Sequence, residues 1–159
     1  MSKNKKLGSP AGRWVFWKWF IILEKDNPEE IYLKRLRVIQ TPLVSLYIHW
    51  INKPDNDRGP HDHPWAFLSF IVRGGYTEKF HKDPYSHASR TKTHKRFSLH
   101  RMGLKSAHRI TYAKPNTITA IITGPRKRNW GFYVPDAPGS KSIKFVPWEV
   151  YDKAGFELP

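Results

Sequence analysis

Between residues 31 and 134 the chain is a succession of short β-branched and aromatic runs, each broken by turn chemistry, and this rhythm restricts the fold more than any other feature. Runs at 31–39, 43–51, 65–72, 76–80, 96–102, 107–113, 117–123 and 129–134 read as strands. About eight short strands with turns every 8 to 12 residues imply an all-β sandwich or barrel. The 31–39 run alternates basic and apolar positions, whereas 65–72 is apolar on both parities, as in a strand covered on both faces. Gly74-Gly75 reads as a hairpin turn into Tyr76. Residues 53–60 form a loop by every local signal, and 82–95, rich in Ser, Thr, Lys, His and Pro, read as a long exposed loop. From Ser140 onward, alternating elements end in Trp148 and Tyr151, expected to pack against the body.

A length of 159 residues fits one domain, expected over 13–159, preceded by a flexible basic tail at 1–12. Trp14, Trp17 and Ile21 recur at helical spacing while Trp14, Phe16 and Lys18 alternate, so a short helix and an edge strand both remain open there. Lys3, Lys5 and Lys6 precede an aromatic run that contains Lys18, lacks a cleavage site and is too short to span a bilayer. The expectation is a cytoplasmic protein with no membrane partner. The absence of cysteine excludes disulfides, thiolate ligands and a Cys nucleophile, leaving His, Asp and Glu as metal ligands. No phosphate-cradling glycine loop and no Gly-x-Ser-x-Gly elbow is present.

The formal charge of +15 attracts anionic partners, from small acids to nucleic acid. Between Arg73 and Arg109 ten Lys or Arg residues face only Glu78 and Asp83, so the basicity is locally concentrated. Within this background, His61 and His63 stand two apart before the 65–72 run. An extended backbone projects both imidazoles from one face, which is half of a metal site. His108, on a later strand, is the candidate third ligand, with His100 a competitor. His81, His87 and His94 lie in or beside the exposed loop and read as surface residues.

A His-x-His opening a core strand, a Gly turn about ten residues later and a lone His on a later strand resemble the metal-dependent cupins. These are RmlC-like jelly rolls, or double-stranded β-helices, whose mouths hold one divalent metal. The His61-Asp62-His63-Pro64-Trp65 string resembles one found in uncharacterised cupin-like proteins of bacteria and phages. The resemblance spans about residues 43–134 and implies that His61, His63 and His108 bind the metal. The family's Glu after the second His is missing, because Phe67 and Leu68 stand there, and so is the Pro-x-Gly before the later His. The resemblance therefore leaves two donor sets, three histidines as in thiol dioxygenases or three histidines plus Glu78. Iron(II) is the metal it implies first, with nickel, manganese and zinc as alternatives.

Parity with His61 and His63 places Trp65, Phe67, Ser69, Ile71 and Arg73 on the inward face. Trp65 and Ser69 are candidate substrate contacts, and Arg101, Arg109, Arg126 and Arg128 are candidates to hold an anionic group. Tyr76, Glu78 and Tyr112 are candidate proton-transfer groups, and Arg101 joins Tyr76 and Glu78 as a candidate catalytic residue. The leading reading is a dioxygenase-like oxidoreductase acting on a small anionic or nucleotide-related substrate. A nucleic-acid-binding or -modifying protein with stacking Trp14, Trp17 or Tyr85, a metal-free sugar epimerase or isomerase, and a non-catalytic β-domain are the alternatives. The cupin resemblance leaves a homodimer open, since cupins frequently pair through their sheets, with the aromatic N-terminal segment as a candidate partner surface; the sequence does not fix the stoichiometry.

Overall fold

In the computed structural model, residues 14–24, 27, 29–55 and 59–154 are described; the expected tail at 1–12 lies outside them. Eleven strands and one helix are present among these residues: β1 (Val15–Leu23), β2 (Ile31–Gln40), β3 (Ser45–Ile51), β4 (Phe67–Arg73), β5 (Gly75–His81), β6 (Arg90–Lys95), β7 (Leu99–Met102), β8 (Ala107–Ala113), β9 (Thr117–Thr123), β10 (Gly131–Pro135), β11 (Ile143–Pro147) and α1 (Trp148–Ala154). One sheet runs β1-β2-β3-β9-β4-β7 and is antiparallel throughout. Facing it are β6-β5-β8 and the β10-β11 pair. His61 bridges these last two by pairing with His108 on one side and Phe132 on the other. The result is the jelly-roll architecture expected from the strand rhythm.

The register sorts inward from outward residues across the large sheet. Arg35, His49, Thr119 and Ile71 form one cross-strand row and Tyr47, Ile121, Ser69 and His100 a second, and both face the interior. The adjacent row, Trp19, Leu36, Ile48, Ala120, Phe70 and Leu99, faces outward. The expectation that 65–72 is covered on both faces is thereby corrected. Ile71 is fully buried, but Leu68, Phe70 and Val72 are exposed, because no layer packs on the outer face there among the described residues. Arg73 also departs from the expected parity, since a bulge between Ile71 and Arg73 turns it to solvent.

Gly74 and Gly75 turn the chain, but not into a hairpin: β4 belongs to the large sheet and β5 to the facing one. They form the corner between layers. Gly74 has φ +76°, and a Cβ there would stand 2.4 Å from Thr117 Oγ1, so only glycine fits without displacement. The N-terminal ambiguity resolves as an edge strand, with Arg37 lying 4.7 Å from the centroid of the Phe20 ring on its inner side. The 82–95 segment is not all loop, since its second half forms β6. The C-terminal segment ends in a helix whose Tyr151 is buried, with its ring 3.8 Å from that of Phe132. No helix among the described residues is long and apolar enough to cross a membrane.

Asp55 fixes the 53–60 loop before it reaches the histidines. It is fully buried, receives the Tyr32 hydroxyl and the Ile110 N–H on its two carboxylate oxygens, and donates its own N–H to the Ile110 carbonyl. Asp55 is thus tied to β8, two residues along it from His108; residues 56–58 of the expected loop lie outside the described residues. For the inward and outward assignment of β4, urea unfolding of Ile71→Ala is expected to show a loss of about 2–5 kcal/mol, against under about 1 kcal/mol for Leu68→Ala.

Candidate metal centre and cavity

The 61–63 segment is held on both sides. His61 and His108 exchange backbone hydrogen bonds of 2.9 Å in each direction, while Asp62 N donates to the Gly131 carbonyl. The Asp62 side chain points the other way from its neighbours and is fully buried. It accepts from Gly131 N at 2.9 Å and Tyr133 Oη at 3.0 Å, and it pairs with Arg128 Nη2 at 2.8 Å. Burial pushes its pKa up, opposed by those two hydrogen bonds and the Arg128 charge. Anchoring Asp62 toward β10 leaves His61 and His63 on the opposite side, facing His108. Their ring centroids lie 4.8–5.2 Å apart.

One nitrogen from each of His61, His63 and His108 lies within 4.8 Å of the others. Nε2 of His63 and of His108 are 3.0 Å apart. Two nitrogens about 2.1 Å from one ion and at right angles to each other would be separated by about 3 Å, so this pair fits a shared divalent metal. Burial, then the neighbouring His108 and His61, hold His63 well below its ordinary pKa. A neutral imidazole is the ligating form, so the donor set suits the group.

Glu78 is the hub behind this trio. It is fully buried on β5, and its Oε2 accepts from Nδ1 of His108 at 2.5 Å, which leaves His108 Nε2 with the lone pair facing His63. Its Oε1 lies 3.0 Å from His94 Nε2 and 3.3 Å from His100 Nε2. Burial alone would raise the Glu78 pKa, but hydrogen bonds from His108 and His94 outweigh it and keep the carboxyl below its ordinary range. Burial lowers His100 to about 4 despite the attraction of Glu78. His100 therefore does not compete with His108 for the first trio but stands with Glu78 and His94 in a second group. His94, read as a surface residue, is largely buried through its place on β6.

A cavity of about 100 Å³ opens beside the trio and is lined by His63, His108, Trp65, Ser69 and Tyr76. The Tyr76 hydroxyl lies 3.0 Å from His100 Nδ1, and burial followed by the Glu78 charge raises its pKa, so the phenol keeps its proton. Among the described residues Arg35 is the only Lys or Arg side chain lining the cavity. Its Nε donates to His49 Nε2 at 2.9 Å. Burial, then the Arg35 charge, hold His49 well below its ordinary pKa.

The arginines expected to hold an anion are placed elsewhere. Arg101 is exposed on the outer face opposite Leu68, Arg109 Nε donates to the Asp55 carbonyl, and Arg126 is exposed beside Asn129. Arg128 braces Asp62 and the Leu104 carbonyl. None lines the cavity. Tyr112 is likewise exposed: it shares the parity of the inward Ile110, but the register shift between these two residues on β8 turns it to the other face. Arg35 and His49 were not singled out in the sequence, where alternation of basic and apolar positions does not say which face is inward. The signal that would have found them is the 31–39 run itself, in which Leu33, Arg35 and Arg37 share one parity.

The neutral histidines make the metal-free protein sensitive to acid. In the unfolded chain His49, His63 and His100 take up protons near pH 6.5, whereas the fold holds each below that value. Stability is therefore full above about pH 6.5 and falls as pH drops toward about 4, because the unfolded state binds more protons in that window. Thermal melts across pH 4–8 are expected to show this decline, with a shallower slope for His49→Gln.

No family model matches the chain, and no curated protein matches it either. Solved structures do. Fe(II)-HppE with the alternative substrate (S)-1-HPP superposes with a TM-score of 0.52 at 11% identity over 68% of this chain, which spans 55% of that protein's length. A Streptomyces PAC13 variant with uridine gives a TM-score of 0.52 at 7% identity, covering 82% of this chain and 84% of the other. An RmlC-like cupin from Shewanella frigidimarina matches with a TM-score of 0.45 at 14% identity over 61% of this chain and 79% of its own. At these identities the likeness concerns the fold alone.

Proposed function

We propose that this chain is a small metal-dependent cupin enzyme, an oxidoreductase acting on a small anionic or nucleotide-related substrate, with iron(II) held by His61, His63 and His108. The observation that carries the reading is the trio of imidazoles, one of them oriented by the buried Glu78, at the wall of a cavity whose only lining Lys or Arg among the described residues is Arg35. The bound ion supplies Lewis acidity and redox chemistry that imidazoles alone lack.

The remaining work falls to side chains of the chain itself. Arg35 carries its charge into a largely apolar cavity, where a carboxylate or phosphate would gain a strong charge-assisted hydrogen bond. Arg35 thereby takes the anion-holding role expected of Arg101, Arg109, Arg126 and Arg128. Trp65 and Phe67 give flat apolar walls that exclude water, and Ser69 offers a hydroxyl between β4 and β7. Tyr76, still protonated, serves as a hydrogen-bond donor at the cavity wall, and Glu78 orients His108 rather than exchanging protons with substrate. Fe(II)-HppE and the nucleoside dehydratase Pac13 support a small oxygen-rich substrate by analogy of fold.

Metal analysis of untagged protein is expected to find a transition metal lost in His63→Ala. Oxygen uptake should then appear with members of a panel of small hydroxy acids, phosphonates and nucleosides. With the active member, Arg35→Met is expected to raise KM roughly 10- to 100-fold. Full turnover in chelator would instead identify a metal-free epimerase or isomerase.

A second reading rests on β1 and the residue before it, where Trp17 and Trp14 are more than 60% exposed beside Lys18. Such aromatics can stack on unpaired bases while cations meet phosphates. Binding of a single-stranded oligonucleotide that weakens steeply with salt, and further with Trp17→Ala, is the outcome this reading requires.

A further inference from the structure

We propose that Glu78, His94 and His100 form a second divalent-cation site, joined to the His61, His63 and His108 site through the His108–Glu78 hydrogen bond. The carboxylate divides its oxygens between the two groups. Oε2 is committed to His108 Nδ1 at 2.5 Å, whereas Oε1 faces two imidazoles, 3.0 Å from His94 Nε2 and 3.3 Å from His100 Nε2. One donor atom from each of the three residues lies within 4.8 Å of the others.

Three further observations favour an ion over a purely hydrogen-bonded cluster. First, His100 is 3% exposed, and its buried Nε2 makes no hydrogen bond even though Glu78 Oε1 is within ion-pair distance. A nitrogen so placed can be satisfied by a metal near both atoms, while its Nδ1 is already oriented by the Tyr76 hydroxyl. Second, Glu78 is fully buried with no Lys or Arg partner among the described residues. Lys92, opposite it in the β5–β6 ladder, places its ammonium 3.4 Å from the centroid of the Phe80 ring instead. Buried charges are paired or coordinate metals, and a cation on Oε1 meets that requirement. Third, the His94 and His100 rings stack 4.2 Å apart at 19°, so both edges run alongside the same carboxylate oxygen. Two imidazoles and a carboxylate suit zinc, iron, nickel or cobalt better than calcium or magnesium. His94 lies on β6, the edge strand of its sheet, and is 11% exposed, which leaves a short path for an ion.

The test is the count of bound cobalt(II) at saturation in the full chain, read by metal analysis and by visible absorption. The proposal expects two equivalents for the wild type, one for His94→Gln, one for His63→Gln and none for the double variant. A wild type that saturates at one equivalent, or a His94→Gln variant that binds as much as the wild type, overturns it. The two sites fail separately: if only His63→Gln loses metal, the second site is wrong and the first stands, and the reverse pattern sinks the first. Anomalous diffraction from wild-type crystals soaked in cobalt needs no variant. It should give one peak on each side of Glu78, and a single peak beside His63 would refute the second site.

Discussion

The paired backbone hydrogen bonds between His61 and His108 are the interaction on which the rest depends. They splice the 61–63 segment between β8 and β10 and so join two short ladders into one facing layer. The same pair sets two imidazoles side by side, because residues directly opposed in an antiparallel pairing bring their side chains close together. Closure of the barrel and assembly of the donor set are therefore one event. Asp62 enforces it from the other side, since a buried carboxylate that lost the Gly131 N–H, the Tyr133 hydroxyl and Arg128 would be left uncompensated.

Behind that closure lies an unusually polar interior. Glu78 touches three histidines, Arg35 pairs with His49, and Asp55 receives a tyrosine hydroxyl and a backbone N–H. Interior groups of this kind reduce stability unless each is satisfied, which is why polar networks mark sites of chemistry more than sites of packing. The apolar core is displaced to the two ends, around Ile71 and Ile110 on one side and around Phe132 and Tyr151 on the other. The middle of the barrel is left for the cavity.

Several features were legible in the order of residues alone. The turn-broken strand rhythm led to an all-β barrel, and the His-x-His spacing marked two residues that the fold does bring together with His108. Trp65 and Ser69 line the cavity as their parity suggested, and Tyr76 joins them from β5. The arginines were misplaced because residue type does not say which face of a strand is inward: Arg101, Arg109, Arg126 and Arg128 lie outside the cavity, whereas Arg35, not singled out, pairs with His49 inside the barrel. His94 was passed over because a polar stretch without alternation gave no sign that half of it would pair with β5.

The sequence by itself determined what is local. Glycine alone suits the Gly74 corner beside Thr117, the 61–63 spacing puts two imidazoles on one side of an extended segment, and the lack of cysteine confines the donors to nitrogen and oxygen. Tertiary structure alone decided which residues from β2, β3, β5, β6, β7 and β8 meet. Parity says that residues share a face but is silent on which face is inward, and only the register between strands far apart in the chain settles that. It is why Glu78, separated from its partners by 16 to 30 residues, became the carboxylate at the centre of three histidine-bearing strands.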